Sequence, residues 1–369
     1  MKITGVTTNL VRPENYDFKW GDDQPVVPIA LTFVRIHTDE GVEGCASTWL
    51  PGAHSEVAET IAQFTRHSVI GRDPLDRELI WQDMMRLTRN TISPKAASAV
   101  DIALWDLAGH AADLPIYQLL GAHTHRAPAY ASTTSFPQVS QFVDIALESK
   151  KLGFNALKLH AYGDPDRDIE VCREVRNAVG PSMRLMLDPV NAYDFLGAMR
   201  VGHALDELDF YWFEAPTHDE DVAGLARLTR ELKTPVATGE SLVRGIWDFP
   251  NLLTSEAGDI IRCIGDAIGG ITGMRKIGSL CEAFNRNLET HSYGSTLVQA
   301  AHLHFILSAP NSEYMEVPVP SGMLDFGMVD VITADDDGFV TAPTKPGLGY
   351  AVDWDVVEDA TVSKAVWTA

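Results

Sequence analysis

Lys158 and His160 stand two residues apart at the end of the short apolar run NALKLH, residues 155–160. Positions i and i+2 of a strand share one face, so an ammonium and an imidazole should point the same way. Further on, three β-prone runs each end on a carboxylate: RLMLD at Asp188, YWFE at Glu214 and VATGE at Glu240. The steps from 188 to 214 and from 214 to 240 are both 26 residues, about one strand-plus-helix unit. Two more runs end on groups that handle protons, NLETH at His291 and EYME at Glu316.

Three anions at neighbouring strand ends repel one another in a partly desolvated mouth, and a hard divalent cation relieves that repulsion. All-oxygen ligation favours Mg²⁺ over zinc. Each acid alone would be explained by capping the next helix or pairing with a lysine; three in register point to a metal site. The chemistry that fits is abstraction of a proton next to a carboxylate. Its product is an enediolate, whose charge a bound cation stabilises. A base takes the proton, and an acid on the other side returns it or protonates a leaving hydroxyl. Lys158 is suited to neutralising the substrate carboxylate, and an imidazole such as that of His160 is a residue type suited to act as base near neutral pH.

Eight β-prone runs separated by amphipathic stretches must position these groups. They are APAYAST, NALKLH, RLMLD, FYWFEAP, PVATGE, DIIRCI, NLETHS and EYMEV, between residues 127 and 317. Such alternation reads as an α/β barrel with its site at the C-terminal strand ends. An open doubly wound sheet would need a Gly-rich phosphate turn after its first strand, and none is present. Before the barrel, the first 35 or so residues alternate like strands, and residues 55–109 carry helical periodicity. After about Ser321 the barrel rhythm stops, and the tail is expected to fold back on the N-terminal part.

The chain has 369 residues, enough to expect two domains. Its 45% hydrophobic and 22% charged residues are ordinary for a globular protein. A formal net charge of -22 argues against nucleic acid or an anionic membrane as partner. The four cysteines, Cys45, Cys172, Cys263 and Cys281, form no CxxC pair, which disfavours a thiolate zinc site or a disulfide framework. No 18-residue apolar run and no secretory leader are evident, so a cytoplasmic setting is expected.

The evenly spaced Asp188, Glu214 and Glu240, the segment AASAVDIALWDLAGHAADLPIYQLLG, GGITG at 269–273, and His291 followed by Glu316 together resemble the enolase superfamily. Within it the chain is most similar to the mandelate racemase subgroup of the mandelate racemase/muconate lactonizing enzyme family. The resemblance implies an α+β capping domain formed by residues 1–125 and the tail 321–369, closing a (β/α)7β modified TIM barrel of residues 126–320. It also implies that Asp188, Glu214 and Glu240 are the Mg²⁺ ligands, that Lys158 is the first lysine of a K-x-K pair, and that His291 is the base on the seventh strand. Glu316 takes the place of the acid that hydrogen-bonds the substrate carboxylate.

Three departures stand out. The second lysine of K-x-K is His160 here, and the family's D-x-N is spread over Asp188-Pro189-Val190-Asn191. Ile264 occupies the place of the aspartate that supports the seventh-strand histidine; Asp266, two residues later and inward-facing if the strand continues, is the candidate substitute, the alternative being a plain helix-capping or loop role. Asn191, Tyr16, Trp20 and Trp49, with Arg244, are candidates for the substrate-facing rim, while His302 and His304 read as packing or solvent residues.

The expected activity is dehydration of a sugar acid to a 2-keto-3-deoxy acid. His160 or Lys158 would take the α-proton, and His291 would assist loss of the β-hydroxyl. Racemisation or epimerisation of a 2-hydroxy or amino acid, and cycloisomerisation of a lactone, use the same residues. A non-catalytic binding barrel is the alternative from another class. The partner is a small-molecule carboxylate, and the resemblance implies a homo-oligomer.

Overall fold

A computed structural model describes residues 1–13, 17–19, 26–51, 56–89, 93–243, 245–322 and 324–369. Two sheets organise it. The first holds β1 (Ile3–Val11), β2 (Asp17–Phe18), β3 (Val27–Thr38) and β4 (Glu43–Pro51), all joined antiparallel. Three helices follow, Glu56–Ser68, Arg77–Thr88 and Pro94–Ala112. The last begins on proline, whose missing N–H costs nothing at a helix start. Its residues from Ala96 to Gly109 are all buried, as its continuous Ala and Leu content demands.

The second sheet carries the eight expected barrel strands. These are β5 (Arg126–Ser132), β6 (Ala156–Leu159), β7 (Arg184–Leu187), β8 (Trp212–Glu214), β9 (Val236–Thr238), β10 (Ile260–Cys263), β11 (Asn287–Thr290) and β12 (Met315–Pro318). They pair in parallel in the order β11-β10-β9-β8-β7-β6-β5-β12. Seven helices connect them in turn, from Val139–Lys151 after β5 to Thr296–Ser308 after β11. Three start under an aspartate that accepts from their first-turn N–H groups: Asp164, Asp194 and Asp221. That is the preferred helix start, and it turns each chain promptly away from the rim.

Between β11 and β12 side chains close the seam. Glu289 accepts from the N–H groups of Glu313 (3.0 Å) and Tyr314 (3.0 Å), and Glu316 accepts from that of Ser292 (2.8 Å). Inside the barrel, away from the rim, Tyr130, Met186, Trp212 and Tyr314 pack as a separate apolar cluster. The barrel is therefore a filled core rather than a channel.

The tail contributes β13 (Phe339–Thr341) and β14 (Thr361–Thr368). β13 pairs with the start of β5, on the barrel, before β14 pairs antiparallel with β1 in the first sheet. All four cysteines are free thiols. Among the described residues no helix is long and apolar enough to cross a membrane.

Candidate functional site

Lys158 is the third residue of β6 and His160 follows its end, both fully out of solvent. They point the same way, as the strand period requires. Lys158 Nζ lies 3.3 Å and His160 Nε2 3.1 Å from one oxygen, Oδ2 of Asp188. The other side of the His160 ring faces a backbone carbonyl, with Nδ1 2.5 Å from the oxygen of Thr133. A carbonyl only accepts, so Nδ1 carries hydrogen; the Asp188 carboxylate likewise only accepts, so in this arrangement Nε2, the nitrogen turned to the site, donates to it.

Glu214 closes β8 under the same ammonium, with Oε1 at 3.0 Å from Lys158 Nζ. Trp212, two residues earlier on the same face, donates to its Oε2 at 2.9 Å. Glu240 follows β9 after Gly239, whose φ is +111° and where a Cβ would meet the Arg262 carbonyl at 2.9 Å. Only glycine fits that approach, so the turn that presents Glu240 depends on it. Asp219 holds this turn on both sides, accepting from the N–H of Gly239 (2.7 Å) and of Ser241 (2.8 Å). Burial pushes the Asp219 carboxyl up to about 6.

His291 Nδ1 sits 3.3 Å from Glu240 Oε2. His160 and His291 thus stand at the two ends of the row Asp188, Glu214, Glu240. Glu214, Glu240 and His291 present ligand atoms that all lie within 4.8 Å of one another. Asp188 adjoins this trio through Lys158, its Oδ1 accepting from the Val190 N–H at 2.8 Å.

Four carboxylates, Asp188, Glu214, Glu240 and Glu316, crowd around the cations Lys158 and Arg262 in this volume. Burial pushes Glu214 well above the usual carboxylate range, against the pull of Arg262 and Lys158, while Asp188 and Glu240 add repulsion. Burial would lower Lys158, but Glu214 and Glu316 raise it well above an ordinary lysine. Glu316 is opposed by burial too, yet Lys158, His291 and Arg262 hold it well below its ordinary value. A buried cluster of this kind, rich in oxygen donors, fits a hard divalent cation.

The remaining sequence candidates divide. Glu316 has both oxygens engaged: Oε1 with Ser132 Oγ (2.8 Å) and Lys158 Nζ (3.0 Å), Oε2 with the Ser292 N–H. The resemblance gave it a donor's part, whereas these contacts are an acceptor's. Asp266, expected behind His291, accepts on Oδ2 from Lys95 Nζ (2.9 Å) and Thr48 Oγ1 (3.4 Å), while the His291 ring turns to Glu240. The single turn Gly265–Ala267 that carries Asp266 departs from the strand, so the residue does not continue the inward alternation of β10. Asn191, at φ +62°, donates from Nδ2 to Ser241 Oγ (2.8 Å), and its Oδ1 is buried without a partner among the described residues. Trp49 is buried on β4 with its ring 6.5 Å from Tyr293, which lies 6.4 Å from the His160 ring. Tyr16, Trp20 and Arg244 lie outside the described residues. His302 and His304 are fully buried packing residues.

Sequence reasoning missed Arg262. It is fully buried on β10, with Nη2 2.7 Å from Glu214 Oε1 and 3.6 Å from Glu316 Oε2, and Nη1 donating to the Thr290 carbonyl at 3.0 Å. Its signal was a lone cation inside the apolar run DIIRCI. Asp219 offered no such signal, because the turn it holds is distant in sequence.

Comparison with known proteins gives concordant matches. Residues 141–356 match the model of the enolase C-terminal domain-like family, and residues 20–121 that of the mandelate racemase/muconate lactonizing enzyme N-terminal domain. The chain is similar to the arabinonate dehydratase of Saccharolobus solfataricus, 28% identical over 340 residues covering 90% of this chain and 91% of that one. It is similar also to the 3,6-anhydro-alpha-L-galactonate cycloisomerase of Streptomyces coelicolor, 32% identical over 338 residues covering 88% and 90%. Among solved structures, a racemase from Streptomyces coelicolor A3(2) with bound magnesium superposes with a TM-score of 0.88 at 31% identity, covering 98% of this chain and all of that one.

Proposed function

The chain belongs to the mandelate racemase/muconate lactonizing enzyme family of the enolase superfamily, and from there we propose that it is a magnesium-dependent lyase that dehydrates a sugar acid to a 2-keto-3-deoxy acid. The observation that carries this reading is the pair of histidines at opposite ends of a buried carboxylate row, with a locked lysine between them.

Asp188, Glu214 and Glu240 would hold Mg²⁺, since three carboxylates suit that ion better than a set that trades Asp188 for the nitrogen of His291. When bound, the ion supplies positive charge where deprotonation of the substrate builds up negative charge. Everything else falls to the protein. Lys158 is held protonated by Glu214 and Glu316 and is a poor base at neutral pH; its part is to face the substrate carboxylate. Thr133 orients the His160 ring, and Nε2, once it gives up the proton it shares with Asp188, would be the nitrogen that takes the α-proton. Burial opposes the charge on His291, but Glu240 raises its pKa, which suits it to donate a proton to the departing β-hydroxyl. The hydroxyl leaves as water, and the resulting enol tautomerises to the 2-keto acid. Glu316 orients Lys158, and Asn191 and Trp49 face the substrate from the rim.

In this reading residues 1–125 and 321–369 form the cap over a catalytic barrel of residues 126–320. The protein works in the cytoplasm on small acids, as an assembly of several copies. The fate of the product has a second candidate, cycloisomerisation, favoured by the 32% identity to an anhydro-galactonate cycloisomerase.

Incubating the protein with Mg²⁺ and a panel of aldonic and aldaric acids, followed by assay for 2-keto acid, tests the proposal. We expect keto acid from at least one member and none after chelation. Deuterium uptake from solvent into recovered substrate, without keto acid, would replace dehydration by racemisation. Neither product nor exchange across the panel would overturn it.

A further inference from the structure

Lys95, Ser98 and Asp101 recur every third residue on one face of the helix Pro94–Ala112 and meet three barrel residues with the same interval. Lys95 Nζ pairs with Asp266 Oδ2 at 2.9 Å, Ser98 Oγ accepts from the Gly269 N–H at 2.8 Å, and Asp101 accepts from Thr272 Oγ1 at 2.7 Å and its N–H at 3.0 Å. All three pairs are 171 residues apart in sequence. The helix is thus laced along the segment that follows β10. Two rungs are buried throughout; the Lys95 rung, with 23% of its side chain exposed, is the open end of the ladder.

That end lies against the site. Asp266 Oδ2 also takes Thr48 Oγ1 at 3.4 Å, and the Lys95 ammonium lies 5.7 Å from the centre of the Trp49 ring. One residue earlier, Ser47 Oγ is 2.6 Å from Ser295 Oγ on the barrel. The close of β4 is therefore fastened across the rim, and its Trp49 ring meets Tyr293 beside His160. At Gly294 an added Cβ would come within 3.0 Å of Trp49 Nε1, so the wall leaves no slack there.

We propose that Lys95 and Asp266 are a positioning pair, whose ion pair holds Trp49 against Tyr293 and so sets the substrate-facing wall next to the two histidines. An aspartate near this place would otherwise be read as the support of His291. Here its charge is met by a lysine from the first helical layer, and His291 has Glu240. A carboxylate that is 1% exposed holds its charge at little cost only while that lysine is present. The consequence for turnover rests on the function proposed above, but the position of Trp49 does not.

The test uses full-length protein labelled with 5-fluorotryptophan, the Trp49 fluorine resonance being assigned from Trp49→Phe. We expect that resonance to shift and broaden in Lys95→Met and in Asp266→Asn, without substrate, and to keep its place in Lys95→Arg. The double variant should move it no further than either single one. With a turned-over acid, KM should rise about tenfold while kcat stays within about threefold, since wall and not chemistry is disturbed. A Trp49 resonance unmoved in Lys95→Met would overturn the proposal. So would a collapse of kcat in Asp266→Asn that Lys95→Met does not share, because Asp266 would then be serving His291. Should Asp266→Asn fail to fold, the Lys95→Met and Lys95→Arg pair decides alone.

Discussion

Arg262 and Glu214 meet at 2.7 Å where neither side chain is reached by solvent. Bringing two charges into such a place is expensive, and leaving one there alone is more so. Replacing Arg262 with Met should therefore destabilise the protein by about 3–5 kcal/mol, the usual cost of an orphaned buried charge. Urea unfolding of Arg262→Met against wild type measures it; a loss below about 1 kcal/mol would mean that Lys158 alone satisfies Glu214. The three carboxylates were legible in the sequence because each ends its own apolar run at a repeating interval. Which group each one meets was not legible. The Glu240–His291 contact links positions 51 residues apart and depends on how a ring is turned. His160 was visible as a candidate, yet the contacts on which we propose it over Lys158 as base, with the Thr133 carbonyl and the Glu316 carboxylate, were not.

At the scale of elements, the helix Thr296–Ser308 is buried on all sides and carries two histidines in that setting. His304 Nδ1 accepts from the Tyr117 N–H at 3.0 Å, and Nε2 lies 3.1 Å from the Leu348 carbonyl, which requires a neutral ring with hydrogen on Nε2. His302 Nε2 likewise accepts from the Gly265 N–H at 3.0 Å. Burial lowers both to about 4. Unfolded histidine titrates near 6.5, so the unfolded chain binds more protons in between. Their contribution is fully present above about pH 6.5 and is lost as pH falls from there toward 4. Each is worth about 3 kcal/mol by linkage. We expect the melting temperature to fall over that window and His304→Leu to flatten the fall; an unchanged slope in the variant would show that His304 is not involved. Element types were readable from periodicity, and all eight barrel strands sit where the apolar runs are. The tail was readable only in part: β14 returns to β1, but β13 stops first at β5, since a three-residue strand carries too little pattern to choose a partner.

For the whole molecule, eight parallel strands place one carboxylate row, two histidines and two buried cations at one rim, and the first sheet with its helices lies across part of it. A cation that binds only the folded form must stabilise it by mass action, about 2.7 kcal/mol at a hundredfold excess over the dissociation constant. Mg²⁺ should therefore raise the melting temperature and chelator should reverse it, with the effect lost in Glu240→Gln. The central claim is that Asp188, Glu214 and Glu240 share one divalent ion. A crystal structure grown with Mg²⁺ and a bound sugar acid tests it most directly. We expect one ion with oxygens of all three residues at about 2.0–2.1 Å, with His160 Nε2 and His291 on opposite sides of the substrate α-carbon. An ion bound through His291 with Asp188 left on Lys158, or no ion at that rim, would contradict it.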